Sequence, residues 1–246
     1  MFDLSFWQNY NFIRMCYIHQ GVNLATIIRD VSHYTSNEAN EKHAVVQHIE
    51  QMKTIIDADE LNASVLIDVC AKLEADCAID LAHRVLASKN NAYNVLFNAA
   101  VKVKKDSRAL LAVLQAWCSL CNGQPDVLDL RGIVFLLALL GDPATSSECV
   151  LFTVRLIYFT CLMHEHNRQS FVQNNLITSL IRILQVHRSN AAIVKQTCMV
   201  LRALTLDDDV RVPFGKAHDH AKLIVGETDA LQLILDISKG EFPCCQ

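Results

Sequence analysis

Two segments of this chain, VLDLRGIVFLLALL (127–140) and FVQNNLITSLIRIL (171–184), can be laid over each other without a gap. Val127 meets Phe171, Ile133 meets Ile177, Leu136 meets Leu180 and Leu140 meets Leu184, each pair 44 residues apart. The matched apolar positions fall at i, i+3, i+4 and i+7, which is one face of a helix; a strand would repeat every second residue. A helical unit of this size cannot cover its own apolar face. Copies at a fixed period therefore stack, each burying the face of its neighbour, into one continuous core.

The surroundings extend the pattern. Each matched segment follows another apolar helix, SRALLAVLQAWCSL or ECVLFTVRLIYFTCLM, and a third, AAIVKQTCMVLRALTL, precedes residue 207. ASVLIDVCAKL and AYNVLFNAAVKV read as an earlier, more divergent copy, and HAVVQHIEQMKTIID (43–57) has Val46, Ile49 and Ile56 at helical spacing. The polar joints CNGQPD, GDPATSSE, HEHN and VHRSN divide the units, with Pro125 and Pro143 in two of them, where a missing N–H costs least. Only 7 Gly and 4 Pro among 246 residues leave too little turn chemistry for an all-β chain. Units of about 40–47 residues are the size of HEAT and armadillo repeats. The expected fold is all-α, a right-handed α-solenoid of armadillo/HEAT-like repeats. TSNEANEK (35–42) reads as a polar linker. Residues 1–42 are thus expected to form a divergent N-terminal segment and linker, and 43–246 a repeat domain of about four units.

Composition removes several classes of function. The net charge is −4, the wrong sign for a chain that must neutralise phosphates, so no nucleic-acid partner is expected. The N-terminus lacks the basic start and compact apolar run of a secretory signal, and no stretch reaches the ~20 apolar residues of a membrane span. The expectation is a soluble protein with no membrane partner, cytoplasmic and compatible with the nucleus. Most of the ten cysteines sit inside apolar helical runs, where a reduced thiol behaves as a small hydrophobe. Cys118 and Cys121 form a C-x-x-C pair without a second pair to complete a zinc site. His164-Glu165-His166 fails the H-E-x-x-H pattern because position 168 is Arg. No nucleophile elbow, phosphate loop or paired-carboxylate motif is present, so no enzyme, cofactor or metal is expected.

QGVNLATII (20–28), NGQPDVLD (122–129), HEHNRQSFV (164–172) and DDDVRVPFGKAHDHAKLIV (207–225) resemble the armadillo repeat-containing protein 6 family, from about Gln20 to Ile237. The resemblance implies an armadillo solenoid acting as a scaffold for an unknown protein partner. Residues 1–19 depart from the family's N-terminal region. Family members continue beyond GEFPCCQ with further units, so the last unit is expected to be cut short and to lack a stacking partner. Armadillo arrays that hold extended peptides present a ladder of Asn amides. Ser119, Phe159 and Ala203 stand at that position here, so main-chain peptide capture is not expected.

The stretch 207–225 departs most from the repeat. Matching Arg168 and Phe171 to Arg211 and Phe214 leaves eleven additional residues within KAHDHAKLIVGETD, and insertions in repeat proteins often map to the binding face. Asp207, Asp208, Asp209, Arg211, Lys216 and His220 are the candidate protein-binding residues. The three acids, with Pro213, are read as the capped start of the following helix. Phe214, His218, Ala221 and Val225 recur at helical spacing, which places His218 on the packed side and His220 outward. The alternative function uses His218 and His220 as a methylation site or as metal ligands, and chelation by both would require an extended backbone.

Overall fold

The computed structural model of the chain describes residues 43–240. The expected N-terminal segment 1–42, with QGVNLATII, and residues 241–246 lie outside the described residues. All regular structure among the described residues is helical. The helices run α1 (Ala44–Asp57), α2 (Ala63–Ile79), α3 (Leu81–Lys89), α4 (Ala92–Lys102), α5 (Ser107–Cys121), a 3-10 turn (Pro125–Val127), α6 (Leu130–Gly141) and α7 (Ser147–Cys161). They continue as α8 (Glu165–Gln173), α9 (Leu176–Val186), α10 (Ala191–Leu204), α11 (Ala217–Gly226) and α12 (Ala230–Lys239). The recurring order is short, medium, long: α3–α4–α5, then turn–α6–α7, then α8–α9–α10, then α11–α12.

The long helices α2, α5, α7 and α10 pack on one another in chain order and make the spine of the array. Side-chain caps start most helices: Asp80, Asp106, Asp129, Ser146 and Asn190 each accept from a backbone N–H of the first turn. Short and medium helices are separated by Asn91 (φ 67°) and Asn175 (φ 65°), both left-handed, a conformation Asn tolerates better than other side chains. The segment 171–184, read from sequence as one helix, is therefore two. Trp117, Leu136, Phe171 and Leu180 are among the buried residues of one core that runs through all units.

The seven described cysteines carry free thiols, six of them buried. Burial pushes Cys70, Cys77 and Cys161 up to about 12 and holds Cys118 and Cys121 well above the ordinary thiol range. Cys118 donates to Phe152 O at 3.2 Å. These are packing groups. No helix among the described residues is long and apolar enough to cross a membrane.

Candidate functional site

The irregular stretch begins before the helix that sequence spacing assigns to it. Three residues (162–164) join α7 to α8, whereas twelve (205–216) join α10 to α11. The additional residues thus form a strap ahead of α11, and KAHDHAKLIVGETD mostly builds an ordinary short helix. The match of Arg168 and Phe171 to Arg211 and Phe214 paired helical residues with loop residues. Pro213 lies outside the helix; it lacks an N–H and disfavours helical backbone at Val212.

The strap is tied down by charge. Asp209 Oδ2 accepts from Glu165 N at 2.8 Å, and Asp208 Oδ2 accepts from Met163 N at 3.3 Å. Of the three acids Asp209 therefore does cap a helix, but it is α8 of the preceding unit rather than α11, while Asp208 holds the joint just before it. Arg168, 0% exposed, donates to Asp208 Oδ1 at 2.5 Å and to Glu165 Oε2 at 2.9 Å. Glu165 Oε1 in turn accepts from Lys216 N at 2.6 Å, closing the strap's far end. Arg211 donates to Asp209 Oδ1 (2.8 Å), Asp126 Oδ1 (2.7 Å) and Met163 O (3.1 Å). Met163 sits at φ 53°, with Asp208 on its N–H and Arg211 on its carbonyl. Three units meet here: Asp126 from the 3-10 turn, Met163 to Arg168 from the next joint, and 208–216 from the strap.

Electrostatics follow the contacts. A hydrogen bond from His164 Nε2 (2.8 Å), aided by Arg211, brings the Asp126 carboxyl down to about 2 despite partial burial. His164 Nδ1 accepts from Asn167 N at 3.1 Å, so Nε2 carries the proton. Burial raises Asp209 and Glu165, yet their hydrogen bonds outweigh it and leave both below the ordinary carboxylate range. Asn167 Nδ2 donates to Pro125 O (2.9 Å) and Thr160 O (2.8 Å), tying α8 to the 3-10 turn and to the end of α7.

The histidines are reversed from the sequence expectation. His218 is exposed and His220 is 4% exposed, because the packed side of α11 runs through His220 and Ile224. Phe214, assigned to the apolar stripe, is outside the helix and 90% exposed. His220 is held by a device that recurs. Arg84 and Arg168 are each the fourth residue of a short helix, and each donates to the carbonyl of the cysteine seven residues earlier: Cys77 O at 2.9 Å and Cys161 O at 3.1 Å. His220 is the fourth residue of α11, and its Nδ1 donates to Leu204 O, the end of α10, at 3.1 Å. It stands in for the arginine. The helix turns His218 and His220 to different sides, so the extended backbone that shared chelation requires is absent. Among the described residues no three His, Cys, Asp or Glu side chains are grouped to hold a metal ion.

Of the candidate residues, Asp208, Asp209 and Arg211 converge on the α8 N-terminus and His220 packs inside. Asp207 and Lys216 remain exposed, Lys216 Nζ lying 3.0 Å from Asp219 Oδ2. Sequence reasoning missed Asp126, Glu165, Arg168 and Phe214. The two arginines carried a signal, Cys followed by Arg seven residues on, repeated 84 residues apart (77/84 and 161/168). Of the ladder positions, Ala203 is buried and unavailable to a ligand.

A sequence profile of the ARMC6 family matches residues 45–242. Armadillo repeat-containing protein 6 of Homo sapiens is 32% identical over 225 residues, 90% of this chain and 44% of its own length. The Pongo abelii protein gives the same identity and coverage. The Drosophila melanogaster homolog is 34% identical over 214 residues, 85% of this chain and 45% of its own. The chain thus spans less than half the length of these curated relatives.

Proposed function

The chain belongs to the armadillo repeat-containing protein 6 family, and on that premise we propose that it is a non-enzymatic scaffold that binds a protein partner through the tip of the strap. The observation that carries this reading is a 90% exposed phenylalanine, Phe214, on a loop fixed at both ends. Asp208 and Asp209 hold one end and Lys216 N the other, so the loop loses little freedom on binding. A large aromatic presented in this way is the residue type that anchors interfaces. Val210, also exposed, extends the apolar tip, and Asp207 and Lys216 supply polar contacts beside it. The buried members of the strap act as its frame.

The test is proximity labelling and pull-down with the intact chain, Phe214→Ala and Lys216→Ala. A partner captured by the intact chain should fall at least about tenfold with Phe214→Ala. The unfolding midpoint should barely move, since surface changes cost less than about 0.5 kcal/mol. Equal capture by both variants would remove the strap tip from the account. The histidine alternative narrows to His218, the one of the pair that is exposed. Modification of His220 would require α11 to leave α10.

A further inference from the structure

Helix α6 has one charged side chain, Arg131, in twelve residues. Ile133, Leu136, Leu139 and Leu140 fill its core side. Its outer side is apolar as well: Leu130 is 62% exposed, Val134 is 52% exposed, and Ala138 and Gly141 are exposed. These four positions, at i, i+4, i+8 and i+11, keep within roughly 80° of arc and make one stripe. Forty-four residues on, the first three positions are Asn174, Thr178 and Arg182; forty residues before α6 they are Asn90, Asn94 and Asn98. Sister units thus keep these three positions polar, although the fourth, forty residues before Gly141, is the exposed Val101. A helix that is apolar all round is normally buried on all sides.

Gly141, the last residue of α6, is exposed and a Cβ there would meet nothing within 4 Å, so the small end of the stripe is open to solvent.

We propose that the outer stripe of α6 is where two copies of this chain pair, antiparallel about a two-fold axis. The stripe tapers from large residues (Leu130, Val134) to small ones (Ala138, Gly141). Antiparallel pairing seats the large half of each copy on the small half of the other, the self-complementarity that an isologous contact needs. Charge selects the same arrangement. Arg131 and Asp142 lie on one flank of the stripe, about 100–120° round from Leu130, at opposite ends of the helix. The antiparallel two-fold axis sets Arg131 against Asp142 of the second copy, twice; a parallel two-fold would carry this flank to opposite sides of the seam and leave both charges without each other. Within the chain Arg131 holds Asp129 at 2.7 Å and Asn94 at 2.8 Å, and Asp142 has Lys104 at 3.8 Å; both side chains stay accessible, so the contact across the two-fold adds to these partners rather than replacing them. A contact of three helical turns falls at the small end of specific interfaces, below about 1,200 Å² in total. Contacts of this size belong to weak, reversible encounters, and a dissociation constant on the order of 10–100 µM is the range to search.

Sedimentation equilibrium of the intact 246-residue chain, over roughly a hundredfold range around that constant, tests it. The expected result is a monomer–dimer equilibrium that Val134→Asp weakens at least about tenfold with an unchanged circular dichroism spectrum. Arg131→Glu and Asp142→Arg should each weaken pairing, and the double variant should recover it. A monomer throughout the range overturns the proposal. So does a dimer indifferent to Val134→Asp, or a double variant no better than the singles. A monomeric chain that binds a different protein through Val134 overturns it as well.

Discussion

Two histidines two positions apart in α11 have opposite fates, and the difference is energetic. His220 supplies a proton to Leu204 O, a carbonyl at a helix end with no partner of its own in the ladder. Leaving that buried acceptor unmet costs about 1–3 kcal/mol, so His220→Ala should lower stability by that amount in urea unfolding. His218→Ala, at an exposed position, should stay within about 0.5 kcal/mol. Equal effects would contradict the burial assigned here. Asp126 gives a pH signature. Its folded-state carboxyl titrates near 2, below its ordinary 3.8, because His164 and Arg211 favour the charged form. Its contribution is therefore present above about pH 4 and is lost as pH falls toward 2. Unfolding midpoints measured from pH 5 to pH 2 should fall less steeply in Asp126→Asn than in the natural sequence. Parallel curves would remove the carboxylate from the clasp.

At the scale of elements, the medium and long helices could be read from their apolar spacing, while the short ones could not. α8, EHNRQSFVQ, buries only Glu165, Asn167, Arg168 and Phe171, three of them polar or charged, so it has no apolar stripe: its first residues read as the joint HEHN and its last three as the start of the helix 171–184. The left-handed Asn175 that separates it from α9 is a backbone event that apolar spacing does not record. The same blindness shifts the insertion: with no helix recognised at 165–173, Arg168 and Phe171 are matched to the strap residues Arg211 and Phe214, and the surplus falls within KAHDHAKLIVGETD. The ion cluster was out of reach for a different reason, since Asp126 and Arg211 are 85 residues apart. α6 carries a prediction of its own. A Cβ on Gly132 would stand 2.6 Å from Leu128 Cδ1 and 2.7 Å from the Tyr93 hydroxyl, which donates to the Asp129 cap. Gly132→Ala should cost about 1–3 kcal/mol by overpacking, read as a lower unfolding midpoint; a neutral result would mean that α6 sits further from α4 than described here.

Across the whole molecule, neighbouring units share a spine of long helices, and contacts in such an array are mostly between nearest neighbours. The strap breaks that rule. Through Arg211 and Asp126 it links the fourth unit to the second; through Asp209 it caps a helix of the third, and through Asp208 it holds the joint before that helix. The central claim is that these two carboxylates hold the strap on α8. Hydrogen exchange at the Met163 and Glu165 amides measures it directly, in the intact chain and in Asp208→Asn/Asp209→Asn. Both amides should be protected in the intact chain and should exchange at least about tenfold faster in the double variant, while the amides of the α7 interior stay as slow as before. Unchanged exchange at Met163 and Glu165 in the double variant would contradict the account.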